Sequence, residues 1–245
     1  MCGRYGLNED PRQLAESFAA GNTTIREALM KSFDALDPPL APRFNVPPTT
    51  RNVVIVPREE GALEARWARW GLLPHWVKDP AAFRATLFNA RSESAHEKPS
   101  FRDAFKRDRC IVPVSGFYEW RADPDGGPKQ PYWIRRRDGA PMALAGLHAL
   151  NTAAEPHDSF TILTTRAGGL LRMLHDREPV RIPPALIPDW LDPERRDAAS
   201  LSDFLEPGDP HDLEAIPVGT SVNRPGNDRP DLLTPVGAPI RVGST

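Results

Sequence analysis

The chain has 245 residues, 40% hydrophobic and 26% charged, a composition typical of a soluble globular protein with one sizeable core. No apolar run approaches the ~18 residues needed to cross a bilayer, and the N-terminus lacks the basic and apolar regions of a secretory signal. Two cysteines, Cys2 and Cys110, exclude a disulfide framework, so a reducing, cytoplasmic setting is expected, nucleoid-associated if the source is bacterial. The net charge of −2 argues only weakly against nucleic acid, because it is unevenly spread. Residues 187–216 hold nine acids against Arg195 and Arg196, a net −7 that leaves +5 for the rest of the chain. Such asymmetry is compatible with a basic groove, and equally with a solvated acidic helix.

In chain order, residues 11–20 and 23–36 are predicted helices, with apolar positions three and four apart. Residues 52–56 and 110–114 are predicted strands, short and rich in β-branched residues. Residues 99–108 suggest a short helix with Phe101, Ala104 and Phe105 inward. Apolar runs at 142–149 and 159–165, bounded by Gly, Pro or Asp, are further strands. Residues 194–206 are predicted as a helix, and the stretch after Pro207 as mostly extended coil. The 28 prolines favour short elements joined by loops. Strands and helices alternate without a regular βαβ period and no linker divides them. The expected fold is therefore α+β, one domain over 1–245 with an antiparallel, barrel-like β core and peripheral short helices.

The chemistry starts at Met1-Cys2-Gly3-Arg4-Tyr5. A small second residue generally allows removal of Met1, which leaves a free amine and a thiol on Cys2. The terminal amine, with an ordinary pKa of ~7.7–8.0, is partly neutral near physiological pH and attacks aldehydes. The thiol beside the resulting imine then closes a five-membered thiazolidine, helped by high effective molarity. Further along, Asn89 and Arg91 are two apart, so an extended backbone puts both on one face. That pair suits a sugar oxygen and a phosphate, or simply a solvated strand edge. Glu119 lies among aromatic residues in Gly116-Phe117-Tyr118-Glu119-Trp120, where apolar neighbours would raise its pKa for proton transfer. An ordinary ion pair with an arginine is the other reading. His175 follows a short apolar helical turn and is either structural or catalytic.

Seven blocks together resemble the SOS-response-associated peptidase (SRAP) family. They are the Cys2 opening, Arg43-Phe44-Asn45-Val46-Pro47-Pro48-Thr49, Trp70-Gly71-Leu72-Leu73-Pro74-His75-Trp76, Phe88-Asn89-Ala90-Arg91-Ser92-Glu93-Ser94, Pro99-Ser100-Phe101-Arg102, the segment from Cys110 to Trp120, and His175-Asp176-Arg177-Glu178-Pro179-Val180. The resemblance implies capture of abasic sites in single-stranded DNA through a thiazolidine linkage to Cys2. The alternative is an N-terminal-cysteine peptidase or amidohydrolase with autoproteolytic activity. It also implies roles: Cys2 as nucleophile, Asn89 orienting the sugar or the N-terminus, Glu119 as general acid/base and His175 supporting the proton traffic. Arg4, Arg91, Arg102 and Arg177 resemble phosphate-binding positions, Thr164 would line the same pocket, and Trp70 would stack on a base. Two positions depart from the family pattern: Glu178 stands where an apolar Met is usual, and His148 where Trp is common. No metal or cofactor is expected, since the cysteines show no zinc-ligand spacing. The expected partner is single-stranded DNA containing abasic sites, bound by a monomer away from membranes.

Overall fold

The computed structural model describes residues 2–58, 61–152 and 157–243. The first half contains β1 (Tyr5–Leu7), α1 (Pro11–Ala19), α2 (Thr23–Asp34), β2 (Arg43–Val46), β3 (Arg51–Pro57), β4 (Leu63–Trp70) and β5 (Asn89–Arg91). Then come α3 (Ser92–Ala95), α4 (Arg102–Arg107), β6 (Arg109–Val114), β7 (Gly116–Arg121) and β8 (Gln130–Arg136). The long strands β9 (Met142–Asn151) and β10 (His157–Arg166) follow, then α5 (Gly169–Arg172), β11 (Arg177–Pro179) and β12 (Arg181–Ile182). The chain closes with α6 (Ile187–Leu191), α7 (Ala198–Leu201), β13 (Leu213–Pro217) and β14 (Ile240–Arg241).

Two sheets result. One runs β14-β13-β8-β7-β1-β2. In the other, β10, β4, β3, β6 and β9 pair in sequence, and β9 pairs back to β10, so these five strands close into a ring. This closure is the expected barrel-like core. The pairings are antiparallel except those of β10 with β4 and with β5. Both faces of the ring strands are buried: Val53 to Ile55, Ile111, Val112 and Leu144 to Leu147 are all at or near zero exposure. Apolar residues on both faces remove the period-two pattern, which leaves β-branched content as the sequence signal for these strands. Where β6 crosses β9, a Cβ on Gly146 would lie 2.7 Å from Cys110 Sγ, so close approach requires glycine there.

The helices at 11–20 and 23–36 form nearly as expected. Asp10 caps α1 by accepting from the Arg12 amide, and Asn22 caps α2 by accepting from the Ile25 amide. Leu14 and Phe18 of α1, and Ile25, Leu29 and Phe33 of α2, are the buried faces. Two segments differ from expectation. The helix expected over 194–206 is only Ala198–Leu201 followed by a 3-10 turn at Ser202–Leu205. Asp192 accepts from the Glu194 amide, and Asp197 caps the short helix through the Ser200 amide. Acidic side chains that bond to nearby backbone amides compete with helix in this way. The coil expected after Pro207 contains β13, fully buried between β8 and β14. Glu214, its second residue, hides the strand pattern, and its buried carboxylate is paired with Arg135 and Arg241. No helix among the described residues is long and apolar enough to cross a membrane.

Candidate functional site

The N-terminal segment is held where the two sheets meet. Tyr5 and Gly6 pair with Phe117 and Gly116, and the Tyr118 amide donates to the Arg4 carbonyl at 2.9 Å. This antiparallel run carries Cys2 and Gly3 alongside Glu119 and Trp120. From the other sheet, β5 brings Asn89, whose Nδ2 donates to the Cys2 carbonyl at 2.8 Å. Asn89 Oδ1 is buried and accepts from no group among the described residues. Cys2 itself has no exposed surface.

Burial raises the Cys2 thiol well above its ordinary pKa, and the negative charge of Glu119 adds to the effect. Glu119 is 4% exposed, and burial raises its carboxyl as well. His175 shifts the other way: burial disfavours its imidazolium and lowers its pKa. Asp176 and Lys129 act electrostatically on both Glu119 and His175, so the acid and the histidine share one neighbourhood. The His175 Nδ1 accepts from the Arg177 amide at 2.9 Å, while Asp176 Oδ1 lies 2.7 Å from the same nitrogen. The amide bond needs Nδ1 unprotonated and the carboxylate favours it protonated; burial, the largest influence, favours the neutral ring. Lys129, exposed in the loop between β7 and β8, escaped the sequence reading because a surface lysine beside glycine and proline carries no pattern.

Cys2, Asn89, Glu119 and His175, 173 positions apart at the extremes, therefore converge. The expected ligands of phosphate and base divide. Asn89 and Arg91 do share a face of β5, opposite the buried Ala90, and Arg91 is exposed with no ionic partner among the described residues. Thr164, level with Arg91 across the β5–β10 pairing, is fully buried, and its hydroxyl donates to the Ala90 carbonyl at 3.4 Å.

Arg177 is 8% exposed and bidentate to Glu93, at 2.5 and 2.8 Å, with a further bond to the Thr164 carbonyl. Its guanidinium is thus engaged internally. The acidic neighbour Glu178 is not its partner: it accepts from the Gly168 amide at 2.8 Å and faces Arg181. Arg4 is likewise engaged, donating to Asn45 Oδ1 at 2.9 Å and the Val222 carbonyl at 3.1 Å. Trp70 corrects the stacking expectation. It has no exposed surface, lies 5.0 Å from Tyr5 and is stacked on Phe160 at 6.2 Å, so no ring face is left for a base. Arg102 sits on α4, which packs on β6 and β9, and its nearest carboxylate is Asp103 at 3.7 Å. Among the described residues no hydrogen bond or ion pair joins it to the Cys2 cluster. The other departure, His148, is buried against Asp158 at 2.8 Å, an ion-pair position in place of an apolar ring.

Comparison with known proteins gives this geometry a context. The chain is 34% identical to the abasic site processing protein YoqW of Bacillus subtilis, an alignment covering 95% of this chain and 99% of YoqW. It is 28% identical to the abasic site processing protein YedK of Escherichia coli, covering 96% of this chain and all of YedK. The abasic site processing protein HMCES of Gallus gallus is 28% identical, covering 83% of this chain and 70% of its own length. A crystal structure of a Bordetella bronchiseptica protein superposes with a TM-score of 0.70 at 30% identity, over 89% of this chain and all of that one. A Bacteroides thetaiotaomicron structure shares the fold, with a TM-score of 0.77 at 24% identity, over 96% of this chain and all of that one. With residues 1–225 matched by the family model, the chain belongs to the SOS response associated peptidase (SRAP) family.

Proposed function

We propose that this protein processes abasic sites in single-stranded DNA by capturing them covalently on Cys2 after removal of Met1. The observation that carries the reading is the Asn89 amide on the Cys2 carbonyl, beside a carboxyl raised by burial and a histidine lowered by it. The names of the relatives, abasic site processing proteins, supply the substrate. An abasic deoxyribose in its open form carries an aldehyde. The Cys2 amine adds to the aldehyde carbon and water leaves, which gives an imine. The Cys2 sulfur then bonds to the imine carbon, its proton passes to the nitrogen, and the thiazolidine ring closes.

Each helper has a physical reason for its role. A terminal amine must be neutral to attack, and the departing hydroxyl must be protonated. A carboxyl with a raised pKa keeps its proton to higher pH and serves as that donor. A histidine with a lowered pKa stays neutral to lower pH and accepts protons. Asn89 fixes the backbone of the attacking residue, which holds amine and thiol near the reacting carbon. Arg91, exposed and without an ionic partner among the described residues, takes a flanking phosphate.

The test is intact mass after incubation with a single strand bearing one abasic site. The wild-type protein should begin at Cys2 and gain the mass of the strand less one water, in an adduct that survives denaturation. Cys2→Ala should give no adduct at any incubation time. Wild-type yield from Cys2→Ala, or an active protein that keeps Met1, overturns the reading.

A further inference from the structure

Arginines cluster at the outer end of β10, and the structure separates those that are occupied from those that are not. Arg177 lies directly opposite Arg166 in the β10–β11 pairing. Like charges placed opposite each other are destabilising, and here Glu93 relieves the repulsion by closing a bidentate pair with Arg177. Glu93 is held well ionised, first by its hydrogen bonds to Arg177, with the charge of Arg166 also contributing. Arg166 is left exposed, with no hydrogen-bonded or ionic side-chain partner among the described residues. Arg91 is in the same condition.

Their placement follows from register. Arg91 is level with Thr164 in the parallel β5–β10 pairing. Arg166 lies two residues beyond Thr164, on the same side of the strand and about 6.6 Å further along it. Asn89, level with Ile162, lies two residues before Arg91 on that side. Asn89, Arg91 and Arg166 thus make a line leading outward from Cys2. Glu93 neutralises Arg177, and Asp176, joined through its backbone to Ala167 beside Arg166, lies against His175, so Arg91 and Arg166 keep no ionic partner among the described residues. A run of unpaired cations leading away from a reactive centre is the footprint of a polyanion held by its backbone.

We infer that Arg166 is a further DNA-backbone contact, which takes the phosphate next beyond the one at Arg91 on a single strand leaving the reactive site. This rests on the proposed function for the identity of the strand. Arg177, one of the four arginines that resemble phosphate-binding positions, is paired with Glu93 and so ties β11 to the Glu93 end of β5 and α3. Arg166 itself has no sequence signature, being one more charged residue at the end of an apolar strand.

Reversible binding measures this without the covalent step. A strand carrying a tetrahydrofuran abasic analogue, which has no aldehyde, is titrated by fluorescence anisotropy across salt concentrations. Arg166→Gln should make the slope of log affinity against log salt shallower by about 0.7, the value for one single-strand phosphate. Arg91→Gln/Arg166→Gln should make it shallower by about 1.4 on the same basis. Arg12→Gln, an exposed arginine on α1, should leave it unchanged. An unaltered slope in Arg166→Gln, or an equal change in Arg12→Gln, overturns the assignment. Adduct formation on aldehyde-bearing DNA, run in parallel, separates the two readings. Absence of a wild-type adduct defeats covalent capture while the Arg166 slope still stands, and an unchanged slope with normal adduct defeats only Arg166.

Discussion

Two polar clusters, one around Asn45 and one around Cys2, are linked by Arg4, which lies two residues after Cys2 and donates to Asn45, yet they are built on opposite plans. At the first, the fully buried Asn45 amide donates to the carbonyls of Val222, Arg224 and Asn227, while its oxygen accepts from Arg4. Asp228 accepts from the amides of Phe44 and Asn45 and pairs with Arg43. These bonds clamp the segment 221–228 to β2, and both ends of the Asn45 amide and both Asp228 oxygens meet complementary partners. At the second, Asn89 leaves its buried oxygen unmatched, and burial moves Glu119 and His175 away from their ordinary pKa values in opposite directions. Saturated polar clusters hold structure together. A reactive site keeps hydrogen-bonding and proton-transfer capacity for its substrate, and perturbed titrating groups mark it.

The comparison is sharpened most by Glu119→Gln. If its carboxyl moves a proton, crosslinking should slow by about 10²–10⁴-fold, the usual contribution of general acid/base catalysis. Since the proposed bond is made by Cys2, the final yield should remain appreciable on long incubation. A wild-type rate across pH 5–9 would reduce Glu119 to a structural residue. The converse variant is Asn45→Ala, which removes three amide donations in a buried position. It should lower unfolding stability in urea by roughly 3 kcal/mol, while folded protein keeps its crosslinking rate per molecule. A loss of rate without loss of stability would place Asn45 in the chemistry.

A third prediction is a pH dependence with a definite sign. The folded-state pKa of Glu119 is raised, so the unfolded chain releases this proton at lower pH than the folded one. Its contribution to stability is full below the ordinary carboxyl range and is lost as pH rises through the raised value. Urea midpoints measured upward from pH 4 should show this fall in wild type, and Glu119→Gln should flatten it. An unchanged profile in Glu119→Gln would mean that burial does not control this group. The smallest effect should come from Asn223→Ala. The exposed Asn223 accepts from the indole of the half-buried Trp120 at 2.7 Å, on the rim of the clamp. An exposed bond of this kind should alter stability by less than about 0.5 kcal/mol, and a larger loss would extend the saturated cluster to the surface.

Short-range features of this protein were legible in its residues. The alternation of Asn89, Ala90 and Arg91 put the two polar side chains on one face, as a strand's geometry requires. The β-branched runs at 52–56 and 110–114 located two of the ring strands, and apolar positions three and four apart located the helices at 11–20 and 23–36. β13 was hidden, because Glu214 breaks its apolar run and is tolerated only through Arg135 and Arg241, the first of them 79 residues away. Trp70 looked available for a base because nothing local shows that Tyr5 and Phe160 enclose it.

The amino-acid sequence by itself pointed to the family, to the proposed nucleophile and to the residue types around it, since a terminal amine beside a thiol has its chemistry wherever it is folded. Tertiary structure alone decided which charges are free. Arg177 is taken up by Glu93, 84 residues distant, and Arg4 by Asn45, whereas Arg91 and Arg166 remain open to solvent. It also set the directions in which Glu119 and His175 titrate. The reason is that desolvation and ion pairing depend on which groups lie within a few ångströms, and those neighbours come from segments far apart along the chain.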